Sequence, residues 1–471
     1  MSENITFDQI QISERVPGTL IEWNKKLALQ NLPTNQQKVL IVGQRLSSSN
    51  DDGSLFDVYS NVDVAERCGY GSIAHHMATA AIKAYKNAAL SMITVADNDA
   101  ATAATGKITI VGTATKSGRV SIKVNDFDAL NIAVINQDTA ETIATTLAAT
   151  INAATHLPVS AVATATEVAL TAKNKGLAGN AIQFSTSTNV TGLTITTGSM
   201  RDGDLNPDIK AALATVAAEG YDIVVIPYND LDSLLALRDH LDAVSAPDEK
   251  KWAIGVVGHT GTLAQAITLT KQLNSEFISM GWYKNTVSLP YMLASAYATV
   301  MASEEDPARP LNYLVLDGIT PPADKIMRTE LRNALNNGVT PMITDSTGTK
   351  CQISRAITTY TKSTTGADDE SMLDVTTPRT LAYVSKAIDQ RIQLRFPREK
   401  LNDKTPPKVR SEILDVLIKL EDLEVLEHVQ ENKEALLVQR DPQNKGMVKA
   451  AIPTDVVNGM HVFAAKMNLI L

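Results

Sequence analysis

With 471 residues, the chain is long enough for about three domains at roughly 150 residues each. Hydrophobic residues make up 44% and charged residues 20%, which excludes a largely disordered chain. The 43 Lys plus Arg against 52 Asp plus Glu leave a formal charge of -9, which argues against the basic footprint of a dedicated nucleic-acid binder.

Aromatic residues are only 4%, so the core must rest on aliphatic residues and alanine. Two cysteines, Cys68 and Cys351, cannot form a disulfide framework and fit a reducing compartment. No run approaches the ~18 apolar residues that span a bilayer. Met1–Gln11 lacks the basic start and apolar stretch of a signal peptide. The expectation is a soluble protein without integral membrane association.

Residues 1–37 are polar and irregular, with Pro17-Gly18 and Pro33 as breakers and a short extended candidate at Thr19–Trp23. So few apolar residues make no core, and the segment reads as an arm lying on something else. Lys38–Gly43 is a β-branched run suited to a strand buried on both faces. A helical stretch over Ser72–Asn87 and a second strand run at Leu90–Val95 follow, and the order strand–helix–strand implies α/β architecture.

That pattern stops near Asp97 and resumes near Pro207. Between them lies an Ala/Thr-rich stretch with strand candidates at Lys107–Val111, Val120–Val124 and Val168–Ala172, glycines at turn positions and one helix over Thr139–Ala153. It reads as a mostly β insertion into one α/β domain. Helices over Ile209–Ala218, Leu231–Leu241, Leu263–Leu273 and Pro290–Ala302 then alternate with strands at Tyr221–Pro227 and Trp252–Val257. From Thr344 the last zone mixes both types, with an amphipathic helix over Arg410–Leu426 and an apolar, strand-prone terminus from Met460 to Leu471. Such a terminus needs a strand partner, in this chain or another.

Local patterns give little support for catalysis. Gly255–Thr262 follows a strand and opens a helix, the setting in which backbone amides cradle phosphate. Its glycines recur at every third residue, which is not dinucleotide spacing, so a tight strand–helix turn is the plainer reading. No Walker sequence occurs. The histidines His75, His76, His156, His240, His259, His428 and His461 show no metal-ligand spacing with a supporting carboxylate, and His75 and His76 are expected on an exposed helix turn. No Gly-x-Ser-x-Gly is present, and Asp368-Asp369 reads as a solvated turn. No catalytic residue, metal or cofactor is expected.

Three segments carry a resemblance. Asp306–Leu311, containing Pro307, Arg309 and Pro310, leads into Leu314–Ile319 with Gly318. The run Arg355, Ala356, Ile357, Thr358, Thr359, Tyr360 precedes Gly366–Asp369 and Leu373-Asp374-Val375. Near the start, Arg15–Thr19 precedes Ile21-Glu22. In this order they resemble tail sheath proteins of contractile bacteriophages, of the Mu-like branch. The resemblance covers nearly the whole chain.

The resemblance implies a structural subunit that polymerises as a helical tube of stacked, six-fold rings around an inner tail tube and contracts to drive that tube through the host envelope. Its other implied partners are baseplate and tail terminator proteins, with no direct nucleic-acid contact. It would assemble in the host bacterial cytoplasm and reside in the virion tail. The implied fold is multidomain α/β: an arm at 1–37, a subtilisin-like-fold domain at 38–97 and 207–343, an inserted β-rich outer domain at 98–206, an α+β core domain at 344–458, and an arm at 459–471.

Strand addition between subunits would use Val16, Pro17, Gly18, Thr19, Ile21 and Trp23 from one end and Val462, Phe463, Met467, Leu469 and Leu471 from the other. The charged helix near Arg410–Glu427 is the candidate tube-facing element, with a solvated helix face as the plainer alternative. Competing readings are the sheath of a phage-tail-like bacteriocin or related injection machine, and a nucleotide-binding α/β hydrolase using the Gly255–Thr262 turn.

Overall fold

The computed structural model describes Thr19 and residues 32–470. It divides into two compact units: residues 35–383 with 455–471, and residues 384–454 with the described part of the first 34.

In the larger unit, β1 (Lys38–Gln44), β2 (Phe56–Asp57), α1 (Asn61–Cys68), α2 (Ile73–Ala84) and β3 (Ala89–Val95) come first. Next are β4 (Ala103–Gly112), β5 (Gly118–Val124), β6 (Leu130–Val134), α3 (Ala140–Ala153), β7 (Val159–Thr164), β8 (Glu167–Lys175), β9 (Phe184–Thr188) and β10 (Leu193–Thr197). Then α4 (Lys210–Val216), β11 (Ile223–Val225), α5 (Leu231–Val244), β12 (Ile254–His259), α6 (Leu263–Leu273), β13 (Ile278–Trp282), α7 (Pro290–Ser303), α8 (Arg328–Leu335), β14 (Thr340–Thr344) and β15 (Cys351–Ile353) complete the alternation. The helix α9 (Thr376–Arg395) closes it.

Local chemistry sets many of these boundaries. Ser72, Thr139, Asp230 and Thr262 each cap a helix by accepting an N–H of its first turn. The helix α2 is therefore shorter than the Ser72–Asn87 run, with Ser72 just outside it. The Tyr221–Pro227 run contracts to β11 because Asp222 turns its carboxylate onto the Lys38 amide, 2.8 Å away, and Pro227 has no N–H for the ladder.

Strands lie in the order β15-β14-β13-β12-β11-β1-β3-β2. The strands from β14 to β3 are mutually parallel, and only the edges β15 and β2 are antiparallel. Alternation along β1 sorts its residues between the faces. Val39 and Ile41 join the core that contains α2 and α7, while Leu40 and Val42 join the one built with α4, α5 and α6. Every residue of α7 from Tyr291 to Ala302 is buried, so the helix is apolar all round.

Residues 103–197 build a four-stranded antiparallel sheet, β10-β4-β8-β7, and a three-stranded one, β6-β5-β9. Their apolar side chains, including Ile108, Val120, Ile143 and Leu170, pack around α3 in a core continuous with the α2/α7 face. The two connecting segments run beside each other through the bridges Thr102↔Asp204 and Thr105↔Arg201.

His75 and His76 are buried, at 7% and 2% exposure, which corrects the exposed turn expected for them. The reason is α3's neighbourhood: His76 stacks with Tyr291 and packs at a tilt against Phe127, and its Nε2 donates to the His156 carbonyl at 2.7 Å. His75 Nδ1 accepts from the Gly71 amide at 3.2 Å. Burial lowers the pKa of His75 to about 4 and of His76 to about 3, from an ordinary 6.5. Both rings are neutral in the fold at neutral pH, whereas the unfolded chain takes up these protons below about pH 6.5. Stability is therefore full above that pH and falls as pH drops from 6.5 toward 4. The thermal unfolding midpoint is expected to decline over this window, with a shallower decline in His76→Gln.

The smaller unit holds the end of α9, α10 (Thr405–Asp422), α11 (Val429–Asn432) and the antiparallel pair β16 (Leu437–Arg440) and β17 (Val448–Ala451). The helix α10 starts five residues before the expected Arg410, because Pro406 and Pro407 sit in its first turn, where a missing N–H costs nothing. Ile413, Val416, Leu417 and Leu420 are buried, whereas Leu423 lies beyond the helix and is exposed. Two acidic side chains of α10 are engaged by α9: Arg391 meets Glu412 at 3.0 Å and Asp415 at 2.6 Å.

Candidate functional site at the root of the C-terminal segment

The segment Arg355–Tyr360 crosses the amino ends of β13 and β14. The Ile357 carbonyl accepts from Ser279 Oγ at 2.7 Å and Thr340 Oγ1 at 2.9 Å. Thr359 Oγ1 donates to the Ser275 carbonyl and accepts the Ser275 amide, each at 3.0 Å. Thr358 Oγ1 donates to the Met372 carbonyl at 2.8 Å, and Tyr360 Oη donates to Asp369 at 2.7 Å. Both threonines are buried, so their hydroxyls replace ladder bonds that this irregular backbone lacks. The sheet's chemistry-bearing end in α/β enzymes is the opposite one, outside the carboxyl ends of the strands.

Arg355 and Asp374 form a bidentate pair, Nε–Oδ1 at 2.8 Å and Nη2–Oδ2 at 2.7 Å. His461 Nε2 lies 3.4 Å from Asp374 Oδ1, and its Nδ1 accepts from Asn312 Nδ2 at 2.9 Å. Burial and the Arg355 charge hold the His461 pKa below its ordinary value, against the opposing pull of Asp374. Gly459 lies against the Pro310 ring, leaving no room there for a side chain. The last segment of the chain is thus held at Gly459 and His461.

Beyond that root, Val462, Phe463, Met467 and Leu469 are 75%, 83%, 96% and 84% exposed, and none of 462–470 is in a strand. Four of the residues expected from the resemblance, Pro310, Arg355, Asp374 and the neighbouring Thr358, come together here. Pro307 is buried nearby in sequence, and Arg309 is exposed, 3.7 Å from Glu304. Gly318 has φ +92° beside the Lys83 side chain, a conformation that requires glycine. Thr19 is exposed, while Val16, Pro17, Gly18, Ile21, Trp23 and Leu471 lie outside the described residues. Sequence reasoning missed Asn312, Gly459 and His461, whose role depends on a contact across 149 positions that leaves no periodic trace.

Replacing Asp374 with Asn leaves Arg355 half-matched and deprives His461 of its anion. The variant is expected to lose about 2 kcal/mol, read as a lower denaturation midpoint, with faster proteolysis after His461.

At the carboxyl ends, the crevice beside β1 is filled by protein. Tyr228 Oη donates to Gln44 Oε1 at 2.9 Å, and Gln44 Nε2 donates to Asp97 Oδ1 at 2.7 Å and to the Lys175 carbonyl at 2.8 Å. Asn174 adds a bond to the Arg45 carbonyl at 2.9 Å. The end of β8 therefore occupies the place where an α/β enzyme receives its ligand.

Comparison with known proteins places the geometry. Residues 203–359 match the phage tail sheath protein central domain, and residues 367–470 the phage tail sheath C-terminal domain. The Mu-like prophage FluMu tail sheath protein of Haemophilus influenzae is 31% identical, covering 99% of this chain and 100% of that protein. The chain belongs to the phage tail sheath proteins, and is a Mu-like sheath protein of a contractile tail. A sheath tail protein from Listeria innocua shares the fold at 14% identity, with a TM-score of 0.51 over 92% of this chain and 95% of that one. The contracted helical sheath of the anti-feeding prophage does so at 13%, with a TM-score of 0.50 over 97% and 99%. No described helix of this sheath protein is long and apolar enough to cross a membrane.

Proposed function

We propose that this sheath protein polymerises with itself by strand exchange, as stacked six-fold rings around an inner tail tube, and that the polymer shortens to drive the tube through the host envelope. The observation that carries the reading is the C-terminal segment, anchored at His461 and then exposed with its apolar residues uncovered. An uncovered apolar strand-former is an association hazard unless a partner covers it. The pair β16–β17 offers an acceptor: a two-stranded sheet is marginal alone, and Leu437 on it is 61% exposed.

In this reading Val462, Phe463, Met467, Leu469 and Leu471 of one subunit add to the residue 344–458 domain of a neighbour, and Val16–Trp23 do so from the other end. Main-chain hydrogen bonds then keep subunits linked while rigid bodies rotate. Head-to-tail contacts that do not close give helical polymers. The β-rich residues 98–206 face outward, residues 38–97 and 207–343 form a subtilisin-like domain without catalysis, and the charged region Arg410–Glu427 faces the tube. The filled crevice at Gln44 supports the non-enzymatic part. Baseplate and terminator proteins complete the partners, with assembly in the host cytoplasm. The fold likeness to the anti-feeding prophage sheath supports a second reading, the same role in a phage-tail-like injection machine.

Negative-stain electron microscopy of the purified chain, without tube protein, tests the proposal. Hollow striated cylinders of wide bore are expected. Discrete small particles at high concentration would overturn it.

A further inference from the structure

Charge in the smaller unit is sorted between its two ends. The helices α9 and α10 run antiparallel, since Arg391 and Arg395 of one pair with Glu412 of the other. The segment joining them therefore lies at one end, and the turn after α10 at the other. With 18 residues in α10, the ends stand about 27 Å apart at the rise of an α-helix.

From Arg395 to Lys408 there are five Lys or Arg and two acids. Glu399 is paired with Lys408 at 2.9 Å and Asp403 with Arg440 at 2.8 Å. That leaves Arg398, Lys400 and Lys404 exposed, with no anion beside them among the described residues. From Glu421 to Glu431 there are five acids and no Lys or Arg. Asp422, Glu424 and Glu431 are exposed there, with no cation beside them among the described residues.

Neither cluster serves its own helix. Lys404 is the N-cap residue of α10 and the first turn has no acid, whereas Glu421 and Asp422 end the helix. The helix dipole favours the reverse order. Charge placed against a local preference marks a contact elsewhere. Each cluster also adjoins a leucine that is 56% exposed, Leu394 at one end and Leu423 at the other. A single exposed ion pair contributes little, but an apolar centre with a charged rim has the composition of a protein interface.

We infer that the smaller units of successive subunits meet end to end, the Arg395–Lys408 segment of one on the Glu421–Glu431 turn of the next. The partner is a second copy of this chain, because one subunit carries both signs, and neither a polyanion nor a polycation would engage both ends. A contact between unlike ends leaves one of each sign free on every oligomer, so it propagates. The inference rests on the self-association proposed above, and it narrows the tube-facing part of the Arg410–Glu427 region to the residues before Glu421.

Two full-length variants test it. One carries Arg398→Glu, Lys400→Glu and Lys404→Glu, which makes both ends acidic. The other carries Asp422→Lys, Glu424→Lys and Glu431→Lys, which removes the negative end. All six sites are exposed, and circular dichroism establishes that each variant is folded. In sedimentation velocity at low salt, each variant alone is expected to associate at least tenfold more weakly than the parent. An equimolar mixture should recover association, since the acidic segment of one then faces the basic turn of the other, and added salt should weaken association of the parent. Parental association by either variant alone, or no recovery on mixing, overturns the inference, and the tube reading then stands or falls on the parent's cylinders. Salt-sensitive association that recovers on mixing, with a parent that forms no cylinders, keeps the end-to-end contact and removes the tube reading.

Discussion

A chain ending at His461 is expected to fold as the parent does and to form no tubes. Residues 462–470, the described part of the deletion, make no strand in the subunit, and Val462, Phe463, Met467, Leu469 and Ile470 are at least three-quarters exposed. Removing them uncovers nothing, so the unfolding free energy should stay within about 0.5 kcal/mol of the parent. The anchor at Asn312, Asp374 and Arg355 is retained. Between subunits the loss is of a different order. A strand of this length contributes several main-chain hydrogen bonds at ~1 kcal/mol each, together with the burial of Phe463 and the aliphatic side chains.

Repeated at every subunit, that loss moves the polymer from cylinders to free subunits, as read by sedimentation and microscopy. Removing residues 1–20 tests the other end in the same way. Cylinders of parental length from either truncation would show that its arm is not a link.

How much of this was legible beforehand depends on the range of each interaction. Lys38–Gly43 reads as a doubly buried strand because β-branching and continuous apolarity are properties of adjacent residues, and β1 forms there with all but its first residue buried. The alternating strand candidates at Lys107, Val120 and Val168 became β4, β5 and β8, since alternation too is a property of neighbouring residues. His75 and His76 misled because their burial comes from Phe127, His156 and Tyr291, residues that no helical periodicity connects to them.

The Arg355–Tyr360 run stood out only by resemblance. Its physical role, hydroxyls replacing ladder bonds across 84 positions to Ser275, has no sequence signature. Nor does the filling of the crevice beside Gln44, since it depends on where the end of β8 comes to lie.

Substituting Gly258 with Ala should cause the largest loss of stability among glycine-to-alanine changes in the large sheet. Gly258 does not have positive φ, so alanine meets no backbone penalty there and the effect is purely steric. A methyl group on it would overlap the Pro290 carbonyl oxygen and lie 3.0 Å from the Ala294 nitrogen. Both are backbone atoms of α7's first turns, which no rotamer change can move aside. The helix cannot retreat freely either, because its far side is buried as well and interiors are close-packed.

Either α7 shifts along its length or β12 bends, and overpacking of this kind costs about 3 kcal/mol or more. Gly446→Ala is the matched control: its nearest neighbour is the Asn444 side chain at 3.6 Å, and less than about 0.5 kcal/mol is expected. Chemical denaturation should show a lower midpoint for Gly258→Ala at an unchanged slope, the mark of altered stability and not of an altered unfolded chain. An unchanged midpoint would mean that β12 and α7 are not packed backbone to backbone at this point. The third position of the same glycine series behaves differently: at Gly261 the nearest atoms are the ends of the Gln265 and His259 side chains, which can move, so alanine there should leave the sheet intact.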